Sequence, residues 1–234
     1  MAGTENFDSG EIAKFDKLAA RWWDPGSEFK TLHDINPLRL DYIERHVPLQ
    51  DKHVLDVGCG GGLLTEGMAL RGARVTGIDM GKAPLGVARL HQHESGLDID
   101  YQQATPEQMV QAHAGEYDLV TCLEMLEHVP DPAAAIAACA ALVKDGGHVL
   151  LSTINRNPKA YLFAVLGAEY LLRMLPRGTH DYARFIRPSE MSTWTRAAGL
   201  QLLDLTGLSY NPLTREYRLG TDVSVNYLAC FQKA

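Results

Sequence analysis

A short β-branched and apolar run ends in clustered glycines, Val54-Leu55-Asp56-Val57-Gly58-Cys59-Gly60-Gly61-Gly62, and a helical stretch from Leu63 to Leu70 follows it. A second run, Arg74-Val75-Thr76-Gly77-Ile78-Asp79, then ends in an acid. This is how a strand turns abruptly into a helix, because glycine accepts positive φ and lets the backbone approach a ligand closely. An acid at the tip of the next strand lies where a ribose can place both hydroxyls on one carboxylate, so Asp79 is the candidate. The glycine spacing discriminates between nucleotides. A dinucleotide fingerprint starting at Gly58 needs its third glycine at position 63, which is Leu63, whereas G-x-G-x-G is met by Gly58, Gly60 and Gly62. That pattern points to S-adenosylmethionine rather than NAD. With no G-x-x-x-x-G-K-[ST] segment, the chain does not read as a P-loop NTPase. The candidate cofactor residues in this stretch are Asp56, Gly58, Gly60, Asp79 and its neighbour Met80.

At 234 residues and 46% hydrophobic, the chain suits one sizeable core with additions. Its net charge of -7 argues against a nucleic-acid partner, whose phosphates select a basic surface. Cys59, Cys122, Cys139 and Cys230 have neither metal-ligand spacing nor the density of a disulfide framework, and read as reduced packing residues of a cytoplasmic protein. The acid-interspersed N-terminus resembles no export or transit signal.

Apolar periodicity predicts a helix over 11–23 and a second one opened by Pro37 and running to about His46. From Val54, strands (54–57, 74–79, 99–103, 117–123, 148–153) alternate with helices (62–71, 84–95, 106–113, 132–142). That is the pattern of a doubly wound α/β sheet with helices on both faces. The alternation breaks between Asn155 and Arg187, an interruption long enough to be functional. Helix 189–198 and strand 201–207 resume it. The tail reads as a hairpin, from 208–210 through Asn211-Pro212 to a final strand 224–231. The expectation is one domain, 1–234, with a helical addition at 1–50 and a lid insertion at 155–187.

A more specific resemblance is carried by Arg21-Trp22-Trp23-Asp24, Asn36-Pro37-Leu38-Arg39, Thr121-Cys122-Leu123-Glu124-Met125-Leu126-Glu127-His128, Ser152-Thr153-Ile154-Asn155 and Gly178-Thr179-His180-Asp181, of which the Arg-Trp-Trp-Asp, Asn-Pro-Leu-Arg and Gly-Thr-His-Asp pieces lie outside the shared core. Nearly end to end, the chain resembles the bacterial ubiquinone-biosynthesis O-methyltransferases. The resemblance implies a class I S-adenosylmethionine-dependent, Rossmann-like fold with a seven-stranded sheet. It also implies two O-methylations on a phenol or catechol carrying a polyprenyl tail, and other proteins of the pathway as candidate partners. By the same resemblance Arg39 lies near the methionine carboxylate, Gly58 in the glycine loop, Asp79 on the ribose and Leu123 beside the adenosine. A C-methyltransferase of the same pathway and a catalytically silent scaffold are the rival readings.

Transfer to a phenol, whose pKa is about 10, requires loss of the phenol proton. Glu124, Glu127 and His128 follow the strand 117–123, at the carboxyl end where open α/β sheets bind ligands. If the segment is helical they share one face at i, i+3 and i+4. Two readings stay open for them. They hold a magnesium ion that lowers the pKa of the catechol oxygens, as the resemblance to eukaryotic relatives implies, or they close the cofactor pocket with His128 as the base. Against the metal, magnesium prefers oxygen ligands. His180, in the insertion, is a second candidate base, and Glu124 a further catalytic candidate.

Between Arg156 and Arg187 six basic and two acidic side chains leave a net +4 on a chain that is otherwise strongly acidic, and 160–175 is largely apolar. The run is too short to span a bilayer, for which about 20 residues are needed. A basic, aromatic-bearing apolar segment suits an anionic membrane surface, so the expectation is a cytoplasmic protein peripherally associated with the inner membrane.

Overall fold

In the computed structural model, residues 6–162 and 181–234 are described. Eight strands form one sheet: β1 (His53–Val57), β2 (Arg74–Asp79), β3 (Asp100–Gln103), β4 (Tyr117–Leu123), β5 (Val143–Ile154), β6 (Leu200–Asn211), β7 (Glu216–Gly220) and β8 (Asn226–Lys233). They lie in the order β3-β2-β1-β4-β5-β8-β6-β7. β1 to β5 are parallel, and β8, β6 and β7 continue antiparallel. The expected seven strands are therefore corrected to eight. β6 runs unbroken across the expected join at 207–208, and 216–220 pairs back on it as an additional edge strand. Only Tyr217 and Leu219 alternate inward there, too brief a pattern to be read as a strand.

Helices α3 (Leu63–Leu70), α4 (Lys82–Ser95), α5 (Pro106–His113) and α6 (Pro132–Leu142) are the crossovers between the parallel strands. The apolar residues of β1, β4 and β5 alternate between two buried clusters. Leu55, Val57, Val120 and Leu151 face one side, with Ile136 and Leu142 of α6. Val54, Leu119 and Leu150 face the other, with Met68 of α3. Burial on both faces is what a central parallel strand requires. All four cysteines are free and buried, in keeping with a packing role.

Two helices precede the sheet, α1 (Ser9–Leu18) and α2 (Lys30–His46). α2 begins seven residues before Pro37, which lies inside it. Proline removes one helical bond, but burial of Ile35, Leu40, Tyr42 and Ile43 holds the helix through it. A helical turn, α7 (Pro158–Ala160), leads toward the undescribed residues, and α8 (Pro188–Ala197) returns to β6. Most of the lid expectation, including His180, lies outside the described residues. No helix among those described is long and apolar enough to cross a membrane.

Candidate active site

The carboxyl ends of β1, β2 and β4 open on a cavity of about 1240 Å³. At β1 the chain turns through Gly58 (φ 74°), Gly60 (φ 53°) and Gly62 (φ 88°), left-handed conformations that glycine adopts without strain. Gly60 is also needed for space, since a Cβ there would meet the Trp22 ring at 2.2 Å. Asp79, at the tip of β2, accepts from Gly60 N at 2.9 Å and Gly81 N at 2.7 Å. Burial raises its pKa, and these amide bonds oppose the rise. A carboxylate has about four acceptor positions, so the two amides leave room for ribose hydroxyls. Met80 and Leu123 supply apolar wall on either side of the loop.

Arg39 projects from α2 into the same cavity and is buried. Burial lowers its pKa, while Glu124, Asp56 and Glu127 act to raise it. Its nearest carboxylate contact is an ion pair with Glu124 at 3.6 Å, and its Nη2 makes no hydrogen bond. A buried guanidinium nitrogen without an acceptor, beside a glycine loop, suits the carboxylate of an amino-acid moiety. Asp56 is a different case. Its carboxylate accepts from Thr65 at 2.6 Å and Thr121 at 2.7 Å, tying β1 to α3 and β4. Burial pushes its pKa up to about 6. It lines the cavity, yet its hydrogen bonds run to the scaffold.

The segment after β4 is not the helix that would place Glu124, Glu127 and His128 on one face. Glu124 is left-handed (φ 54°), its amide meets Ser152, and only Leu126–His128 form a 3-10 turn. The three side chains diverge. Glu124 accepts from Ser152 Oγ at 2.7 Å and from Asn226 Nδ2 at 3.2 Å. Glu127 is buried, accepts from Thr153 at 2.9 Å, and has its pKa raised by burial and by Glu124. His128 turns to Glu11 of α1, Nδ1 to Oε2 at 2.9 Å, with its ring edge-on to Phe15. These residues do not fit a shared magnesium ion, and no three His, Cys, Asp or Glu side chains among the described residues converge as a metal site. The expected one-face ligand set is corrected on this geometry.

The N-terminal helix roofs the site, a placement that its own apolar periodicity does not indicate. Asp8 pairs with Arg184 at 2.8 Å, Asp16 accepts from Ala83 N at 3.1 Å, and Asn6 donates to Glu107 at 2.7 Å. Trp22 lies on Gly60 and Gly61 and stacks on Phe29. Trp23 stacks on His91 and donates to Gly61 O at 2.9 Å. The only signal for these contacts was the run Arg21-Trp22-Trp23-Asp24, which carried a resemblance but no location. Glu11, Ser152 and Asn226 had none that locates them.

A family model described as a methyltransferase domain matches residues 32–205. The ubiquinone biosynthesis O-methyltransferase of Marinobacter nauticus is 66% identical over 226 residues, covering 96% of this chain and 95% of that protein. The protein of the same name from Azotobacter vinelandii is 67% identical over 223 residues, covering 95% and 96%. Among solved structures, a magnesium protoporphyrin IX methyltransferase from Synechocystis with bound S-adenosylhomocysteine superposes with a TM-score of 0.71, at 18% identity and over 95% of each chain. At that identity the likeness shows the fold alone.

Proposed function

The chain belongs to the methyltransferase family and, within it, to the ubiquinone biosynthesis O-methyltransferases; from this premise we propose that it methylates ring hydroxyls of polyprenylated phenol and catechol intermediates at the expense of S-adenosylmethionine. The carrying observation is one cavity that gathers the glycine loop, Asp79, an Arg39 nitrogen that makes no hydrogen bond and the Glu11–His128 pair. S-adenosylmethionine, when bound, supplies its methyl group as a carbon attached to a positively charged sulfur.

This chain's residues do the remaining work. Arg39 holds the amino-acid carboxylate through a charge-assisted bond. Asp79 takes the ribose hydroxyls, and Met80 and Leu123 enclose the base. His128 accepts the proton of the ring hydroxyl. Glu11 orients it, because an imidazole whose Nδ1 donates to a carboxylate presents Nε2 as the proton acceptor. Glu124 is held by Ser152, Asn226 and Arg39, so its carboxylate oxygens are engaged by the scaffold. It fixes Arg39 and shapes the wall. Glu127, with its raised pKa, belongs to the same buried network.

The segment 156–187, net +4, supports docking on an anionic membrane, where a polyprenyl tail resides. Exposed Tyr161 and Leu162 stand at its described edge. Arg173, Arg177 and Arg184 changed to glutamate should reduce sedimentation with anionic liposomes. Wild-type binding that is unaffected by lipid charge or salt would contradict the docking.

The reaction is tested by incubating the protein with labelled S-adenosylmethionine and a polyprenyl catechol and locating the label by mass spectrometry. Label on a ring oxygen is expected. Label on a ring carbon would favour the C-methyltransferase reading, and cofactor binding without transfer would favour the scaffold.

A further inference from the structure

The cavity is longer than its cofactor half. Counting along the sheet from Asp79 on β2 to Tyr217 on β7 crosses six strand spacings, about 29 Å at roughly 4.8 Å each. Its lining changes character on the way. Asp79, Arg39, Glu124 and His128 occupy the β2 to β4 end, and Asn226 follows on β8. Beyond Asn226 the walls are the additional β6–β7 hairpin and the start of α2. Leu208 pairs with Leu219 and Tyr210 with Tyr217 across the hairpin, placing four large side chains on one face, and the two tyrosine rings lie 4.7 Å apart. Leu208, Tyr210, Pro212 and Tyr217 line the cavity from this side, and Leu32 and Ile35 of α2 line it from the other.

An edge hairpin added to a sheet has to bury its apolar face. Here that face is shared between α2 and the cavity, so part of the hairpin's apolar surface is presented to whatever the cavity holds. We infer that this apolar end is the binding site for the polyprenyl tail of the substrate, entered from the ring site past Asn226 and leaving by the hairpin turn at Pro212. The inference rests on the proposed substrate class and adds where the tail lies. A long hydrocarbon suits it because these six side chains offer contact area without a charge of their own, while the Lys159 and Asp222 side chains that also line the cavity are paired with each other at 2.7 Å. The site is continuous with the place where the ring must sit, so ring and tail are held in register by one cavity. The hairpin is then a specificity element, and its residues are positioning residues for a tailed substrate.

The test compares kcat/KM for a tailless catechol and for the same ring with an isoprenoid tail, in detergent, for wild type and variants. Wild type is expected to prefer the tailed ring. Tyr210→Asn with Tyr217→Asn should lower that preference at least about tenfold, the usual scale for losing an apolar contact. Tyr210→Phe with Tyr217→Phe should restore it. Pro212→Asp, at an exposed turn, should also lower it, with thermal unfolding of each variant checking that the fold is kept. Equal losses on both substrates, or a wild type that turns over both without preference, would overturn the tail site while leaving the proposed reaction standing. A wild type that methylates neither substrate would overturn both.

Discussion

Asp56 is a buried carboxylate held by two threonine hydroxyls, and its pKa of about 6 makes folding depend on pH in a calculable way. The ordinary value is 3.8, so the native state binds the proton more tightly than the unfolded chain. Its contribution is therefore fully present below about pH 4 and is lost as pH rises through about 6. A rise of roughly two units corresponds to about 3 kcal/mol at 1.36 kcal/mol per unit. Asp56→Asn removes the titration and keeps the shape. Its carbonyl accepts from one threonine, and its amide donates to the other hydroxyl after that rotates. Whatever fixed cost the new bonds carry cancels in a comparison across pH. The difference in stability between variant and wild type should thus shift in favour of the variant by about 3 kcal/mol between pH 4 and pH 7.5. For a chain of this size that is about 6–12 °C in relative Tm. Thermal unfolding of both proteins at several pH values measures it. Parallel Tm curves would show that burial does not hold the proton on Asp56, and a shift in favour of wild type would refute the sign.

Asp79→Ala should weaken S-adenosylmethionine binding by roughly 10- to 100-fold, since it removes charge-assisted bonds worth about 1.5–3 kcal/mol; calorimetry with unchanged affinity would remove Asp79 from the ribose. Gly60→Ala should destabilise the fold by about 1–3 kcal/mol, because it forces a side chain into φ 53° and against Trp22, and denaturant unfolding checks it. Titrating Mg2+ into the protein should give no saturable heat that depends on His128, because Glu124, Glu127 and His128 face different partners; saturable binding lost in His128→Ala would restore a shared ion. Glu11→Gln should lower kcat by about tenfold or more with little change in cofactor affinity, as expected when a base loses its orienting charge.

The cofactor half of the site is legible because its parts are local. The strand, glycine turn and helix lie within 54–70, and Asp79 follows one crossover later. Arg39 needed the resemblance, because nothing in the periodicity of 37–46 says that one helical charge is buried. The Glu11–His128 pair joins residues 117 apart, and only tertiary packing of α1 against the segment after β4 creates it. Glu124 defeated the helical reading for a local reason with a distant cause. Its left-handed backbone is held by Ser152 of the neighbouring strand, so pairing across the sheet overrides the i, i+4 spacing. Pro37 misplaced the start of α2, since a proline that commonly opens a helix can also be carried inside one when enough apolar surface is buried around it. β7 went unread because a five-residue edge strand with two inward residues carries little pattern.

The proposal that His128 takes the proton during transfer is tested most directly by single-turnover methyl transfer from labelled S-adenosylmethionine in wild type and His128→Ala, with cofactor affinity measured alongside. Affinity should change little, and the transfer rate should fall by about 10²–10⁴-fold, with partial recovery at a pH high enough to ionise the ring hydroxyl without a base. Transfer at the wild-type rate in His128→Ala would contradict the assignment.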